Sequence, residues 1–279
     1  MDSRIRFAVA GEPIGHSLSP ELFALVAEHL GLNWDMPKRI STTKCTELDI
    51  KLRGDFEKPP SEFLDKIVGV TNDILEPFVK YIPYGDTRIN DLKTSDELSK
   101  GTNCFVSITT PLKHQYGTTP INCLKYVEND IRSFNSDGLG FVAVARHFNI
   151  FPEKGAILGL KGGGSTALAT SKAWISAGGF IKYYSGRREL NQKSFDDEMF
   201  SSEDIFVDYD ESSTHDEILS LSPRYGENEA GSTVGNVLDG TWLLVAQHLV
   251  SWNNFFGFSE ELPSLGLLMS RLSVIQNKI

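Results

Sequence analysis

Apolar residues fall along this chain in two spacings. Unbroken short runs at Ile5–Ala10, Cys104–Ile108, Ala156–Leu160, Phe180–Ser185 and Ile205–Tyr209 read as buried strands. Met36–Thr43 reads as another strand, and Asn122–Tyr126 with Asp130–Phe134 flank Val127-Glu128-Asn129 as a hairpin. Helical spacing takes over between these runs. Positions 22, 23, 25, 26, 27 and 30 are apolar and mark a helix that Gly31 stops. Helices are also predicted after Asn135–Gly140 through Val144, over Ser165–Ala177 (ended by Gly178-Gly179), over Thr241–Phe256, and from about Pro263 to Gln276. In residues 51–100, Pro59-Pro60 breaks the pattern, Ser61 starts a helix carrying Phe63, Leu64, Ile67 and Val68, and Ile74–Tyr81 reads as another. The strand–glycine loop–helix–strand order from Ala156 to Ser185 is a βαβ unit with a right-handed parallel crossover. The pattern therefore predicts an α/β fold.

Two turns in this pattern carry chemistry. Gly11–Pro20 joins a strand to a helix, with Ser19 read as N-cap and Pro20 as the first helical residue. The hydroxyls of Ser17 and Ser19 beside a helix N-terminus suit a carboxylate or phosphate, although a well-capped turn explains them equally. Lys161-Gly162-Gly163-Gly164-Ser165 is the second turn. Three glycines between strand and helix let a pyrophosphate approach the backbone, and the order excludes a Gly-Lys-Ser/Thr phosphate loop. About 20 residues further on, Arg187 and Arg188 stand where an acidic side chain would select the ribose hydroxyl of NAD; the pair suits the 2′-phosphate of NADP. Two solvated arginines in a turn are the competing explanation. Lys113 and Asp137 form a proton-transfer pair if the fold joins them, and are otherwise a surface lysine and a helix-capping aspartate.

Composition narrows the picture. The chain has 279 residues and a net charge of −10, which argues against nucleic acid as a partner. Ten acidic side chains and no basic ones lie between Ser194 and Glu217, read as a solvated face. Cys45, Cys104 and Cys123 show no paired spacing, so reduced thiols in a cytoplasmic protein are expected. His114, His147, His215 and His248 have no metal-ligand spacing, so no metal is expected. No apolar run approaches the length of a membrane span, and no membrane partner is expected.

Taken in order, these motifs resemble the shikimate dehydrogenase family from Phe7 to about Trp252. Gly11-x-Pro13-Ile14-x-His16-Ser17-x-Ser19-Pro20 resembles the family's N-terminal signature, whose serines hold the substrate carboxylate. Ser107-Ile108-Thr109-Thr110-Pro111-Leu112-Lys113 resembles Asn-Val-Thr-x-Pro-x-Lys, which implies that Lys113 is the catalytic lysine and Thr109 a substrate contact. Ile121-Asn122-Cys123 resembles Val-Asn-Thr, with Asn122 on substrate hydroxyls, and Asn135-Ser136-Asp137-Gly138 resembles Asn-Thr-Asp-Gly, with Asp137 as the partner of Lys113. Gly186-Arg187-Arg188 stands where the family has Asn-Arg-Thr/Arg for NADP. Asp239-Gly240-x-x-Leu243-Leu244-Val245-x-Gln247 resembles Asp-Gly-x-x-Met-Leu-Val-x-Gln, with Gln247 reaching the substrate.

The resemblance implies a substrate domain of residues 1–136 plus 239–279 and a Rossmann-like NADP domain of residues 137–238, with the active site in the cleft between them. The implied activity is NADPH-dependent reduction of 3-dehydroshikimate to shikimate in aromatic amino-acid (chorismate) biosynthesis, by a monomer or homodimer. A quinate/shikimate dehydrogenase and a non-catalytic shikimate-binding or regulatory protein are the alternatives. Departures gather in the cofactor half. Lys161 replaces the first glycine of the family's Gly-x-Gly-Gly loop, and no counterpart of its Asn-Ala-Thr/Ser or Asp-x-x-Tyr segments is found between Tyr209 and Asn236. In the substrate half, Ser107 replaces an asparagine. Only eight residues separate Lys113 from Asn122, where the family has a helix of about two to three turns.

Overall fold

Three parallel strands set the frame of the N-terminal part of the chain. The computed structural model describes residues 6–11, 17–32, 38–41, 104–108, 122–127, 130–188, 190, 202–215, 217–225, 233–256 and 262–276. The helices predicted between 51 and 100 lie outside the described residues. The chain groups into two units, Met1–Asn135 and Ser136–Ile279.

In the first unit, β1 (Arg6–Gly11) lies parallel to β2 (Lys38–Ser41) on one side and to β3 (Cys104–Ile108) on the other. β4 (Cys123–Val127) and β5 (Asp130–Phe134) then add antiparallel strands, giving the order β2-β1-β3-β4-β5. Helix α1 (Ser19–His29) buries Leu22, Phe23, Leu25, Val26 and Ala27. It ends as the sequence predicts. Gly31, at φ +62°, sends its N–H to the Glu28 carbonyl, and the Leu32 N–H reaches that of Ala27, the pair of hydrogen bonds that closes a helix C-terminus. The start differs by one residue: Leu18 is the N-cap, and Ser19 and Pro20 are the first two helical residues. Proline is tolerated at either position because neither N–H has an intrahelical partner.

The second unit opens with α2 (Asp137–His147), continuing past the predicted Val144, and a 3₁₀ turn at Pro152–Lys154. Then follow β6 (Ile157–Lys161), α3 (Ser165–Ser176), β7 (Phe180–Tyr184), β8 (Ile205–Asp208), β9 (Leu219–Leu221), β10 (Thr233–Val234) and β11 (Val237–Leu238). Helices α4 (Thr241–Phe256) and α5 (Leu265–Gln276) complete it. The sheet order is β10-β11-β9-β8-β6-β7, parallel throughout except for the β10–β11 pair. Its core combines Leu158, Leu160, Ile181, Ile205, Phe206 and Val207 from the sheet with Phe141, Val144, Trp174, Val245 and Trp252 from the helices. The rings of Phe141 and Trp174 meet edge to face at 5.8 Å.

Asn236-Val237-Leu238 forms a turn and a short strand ahead of the long helix, which runs over Thr241–Phe256 as the sequence predicts. The C-terminal helices also group with residues 136–238, because α2 packs against both α3 and α4.

Candidate active site

Ligands of open α/β sheets sit outside the carboxyl ends of the parallel strands. In the first unit, Ala10 of β1 pairs with Ile108 of β3, so both strands end at one sheet edge. Ser107 pairs with Cys123, so Asn122, which enters antiparallel β4, lies at that same edge. Asn122, Ser17 and Ser19 are each less than 5% exposed, and the Ser19 N–H points to the Ser17 hydroxyl at 3.4 Å. Thr109 and Lys113 lie outside the described residues.

In the second unit the crossover reverses at β6, with β7 on one side and β8 on the other. The glycine loop leaves β6 at this switch point. Gly162 has φ +115°, and a β-carbon there would stand 3.1 Å from Tyr209 Cβ, so glycine suits both the turn and the space. Gly164 is the N-cap of α3, and no side chain caps this helix. Gly163 completes the loop, Ser165 is buried as the first helical residue, and Arg187 and Arg188 are exposed after β7. A β-carbon on Gly164 would lie 3.8 Å from the guanidinium of Arg188.

Lys161 turns its ammonium to the chain that follows β8. It pairs with Glu211 at 2.6 Å and with Asp208 at 3.2 Å. The Glu211 hydrogen bond raises the Lys161 pKa; burial opposes this and Asp208 adds to it. Asp208 is fully buried. It accepts the N–H groups of Asp210 (2.8 Å), Glu211 (3.0 Å) and Ser213 (3.3 Å), together with the Ser213 hydroxyl. Burial pushes its pKa up, but the bonds from Ser213, Glu211, Asp210 and Lys161 outweigh that and hold it at about 2. One member of the acidic run read as solvated is therefore the centre of a turn. That turn fixes Asp210, whose carboxylate accepts the Arg188 N–H at 3.3 Å. The same carboxylate stands 2.5 Å from where a β-carbon on Gly186 would be.

Asp137, the first residue of α2, is fully buried. Its two carboxylate oxygens have different partners. Gln247 Nε2 donates to one at 2.9 Å, from α4, and Thr166 Oγ1 donates to the other at 3.2 Å, from the first turn of α3. Two glycines permit this junction. A β-carbon on Gly138 would lie 2.1 Å from the Ala169 carbonyl oxygen, and one on Gly140 would lie 2.9 Å from Gln247 Cγ. One turn along α3, Thr170 Oγ1 bonds the Tyr209 hydroxyl at 2.9 Å. Burial raises the Tyr209 pKa, the Thr170 bond opposes this, and the Asp137 charge adds to it. The structure thus joins Asp137 to Gln247, two residues that the sequence motifs single out, and adds Thr166, Tyr209, Asp208 and Asp210. Thr166 gives no signal in the sequence beyond following Ser165. Asp208 is recognisable only as an aspartate closing a strand ahead of a serine-rich turn.

The two sheets and the glycine-loop crossover make an α/β fold, and comparison with solved structures shows the two-domain fold of the shikimate dehydrogenase type. No family model and no curated protein matches the sequence. Among solved structures, shikimate 5-dehydrogenase from Thermus thermophilus in complex with shikimate is 19% identical, with a TM-score of 0.61 over 99% of this chain and 100% of that one. The Ael1 enzyme from Pseudomonas putida is 16% identical, with a TM-score of 0.62 over 96% and 98%. The 5-ketofructose reductase of Gluconobacter sp. strain CHM43 is 14% identical, with a TM-score of 0.58 over 99% and 100%. The Thermus enzyme has also been solved with NADP(H) and shikimate together, with a TM-score of 0.58, 19% identity and 96% and 98% coverage.

Proposed function

We propose that this chain is a shikimate dehydrogenase, an oxidoreductase that interconverts 3-dehydroshikimate and shikimate with NADPH. The meeting of Asp137 with Gln247, from motifs 110 residues apart, carries the reading. In this reading residues 1–136 with 239–279 serve the substrate and 137–238 serve the cofactor. Ser17 and Ser19 hold the carboxylate, and Thr109, Asn122 and Gln247 hold the hydroxyls. The glycine loop and uncapped α3 fit a pyrophosphate, and the exposed guanidiniums of Arg187 and Arg188 fit a 2′-phosphate. NADPH, when bound, supplies the hydride. Lys113, oriented by Asp137, gives its proton to the carbonyl oxygen as the ketone becomes an alcohol, and takes it back in the reverse direction. The fold also houses a 5-ketofructose reductase, so the fold alone does not give the substrate, and this reading takes it from the roles of Thr109, Asn122 and Gln247.

The direct test is shikimate-dependent reduction of NADP by the purified protein, repeated with quinate and with NAD. Turnover with shikimate and NADP supports the reading, and its absence overturns it. A second reading, a shikimate-binding protein without hydride transfer, is favoured by the Asp210 carboxylate standing at Gly186 and the Arg188 N–H. Calorimetry separates the two, since only the enzyme binds NADPH as well as shikimate.

A further inference from the structure

We propose that Thr166 is a positioning residue that ties the glycine loop to the Asp137 carboxylate; this rests on the dehydrogenase reading above. Thr166 is the second residue of α3, directly after the Gly164 N-cap and Ser165. The turn that faces a dinucleotide in that reading therefore also carries a hydroxyl bound to Asp137 at 3.2 Å. The opposite carboxylate oxygen is held by Gln247 at 2.9 Å, from a helix remote in sequence. With one oxygen bonded from each side, Gln247 and Thr166 restrain the carboxylate from two different helices, α4 and α3. Removing either loosens one side of the carboxylate, and Thr166 is the donor that moves with the loop. Gly138 packs directly against the Ala169 carbonyl, so α2 and α3 are in close contact beside the Thr166–Asp137 bond.

The test compares T166V, which keeps the shape and removes the hydroxyl, with T166S, which keeps the hydroxyl. T166V is expected to lower kcat about tenfold or more and to lower the thermal midpoint as well, as a lost hydrogen bond to a buried carboxylate does, while KM for NADPH and for dehydroshikimate changes little. T166S is expected to restore kcat, and T166V is expected to add nothing in a D137N background. Active wild-type protein with an unchanged kcat in T166V overturns this proposal alone, as does a loss in T166V that T166S does not restore. Wild-type protein without turnover overturns the dehydrogenase reading and this role with it.

Discussion

Gly138 lies so close to Ala169 that a β-carbon on the glycine would stand 2.1 Å from the alanine carbonyl oxygen. Helices α2 and α3 therefore meet backbone to backbone, and this contact brings Thr166 within reach of Asp137. G138A is expected to destabilise the protein by about 3 kcal/mol, the upper end for overpacking against an element that cannot yield. Denaturant unfolding checks this, and an unchanged midpoint would contradict the contact.

Asp208 gives a pH-dependent prediction. Its folded pKa, about 2, lies below the ordinary value of 3.8, so the native state binds fewer protons than the unfolded one. The resulting stability, about 2 kcal/mol, is present above about pH 4 and is lost as pH falls through about 2. D208N should therefore cost about that much at neutral pH. Its deficit relative to wild type should shrink steadily below about pH 4 in urea melts.

His248 works against the fold in acid. Burial depresses its pKa from 6.5 to about 3. The unfolded chain therefore takes up a proton that the folded one refuses, and stability falls as pH drops from 6.5 towards about 3. H248Q should flatten this slope by about 1 kcal/mol per pH unit between about pH 6 and 4. Parallel slopes for variant and wild type would exclude this role for the imidazole.

Lys113 is the acid and base of the proposed reaction. K113A should reduce turnover by several orders of magnitude and leave shikimate binding, followed by calorimetry, largely intact. Full turnover in K113A would remove the assignment.

Arg187 and Arg188 should distinguish the two nicotinamide cofactors. The double variant to alanine is expected to raise KM for NADPH about tenfold or more, as lost charge-assisted bonds do, and to leave KM for NADH nearly unchanged. An equal rise for both would place the arginines away from the 2′-phosphate.

The sequence is most legible where one period dominates. Ala156–Ser185 names its strand, loop, helix and strand because the apolar run, the glycines and the helical spacing follow one another without overlap. β9 and the β10–β11 pair escape a sequence reading because two or three residues give no period. Val237-Leu238 sits directly before a long apolar helix and merges with its opening. Of the site, Asp137 and Gln247 are legible in motifs, whereas their meeting depends on Gly138 and Gly140, whose role is visible only once three helices are packed. Asp208 is hidden by its neighbours, since a buried acid within an acidic run has the same composition as a solvated one. Its partner Lys161, which looks like a defect in the loop, supplies the compensating charge.

The Asp137 junction also orders events during synthesis. Gln247 leaves the ribosome 110 residues after the carboxylate it holds, by which time β6, α3 and β7 have already emerged. A nascent chain that has folded this much still lacks the Gln247 donor that α4 brings to this carboxylate. The second unit thus gains this contact late, and arrest of translation before α4 should leave a chain that chaperones retain and proteases cut near α2.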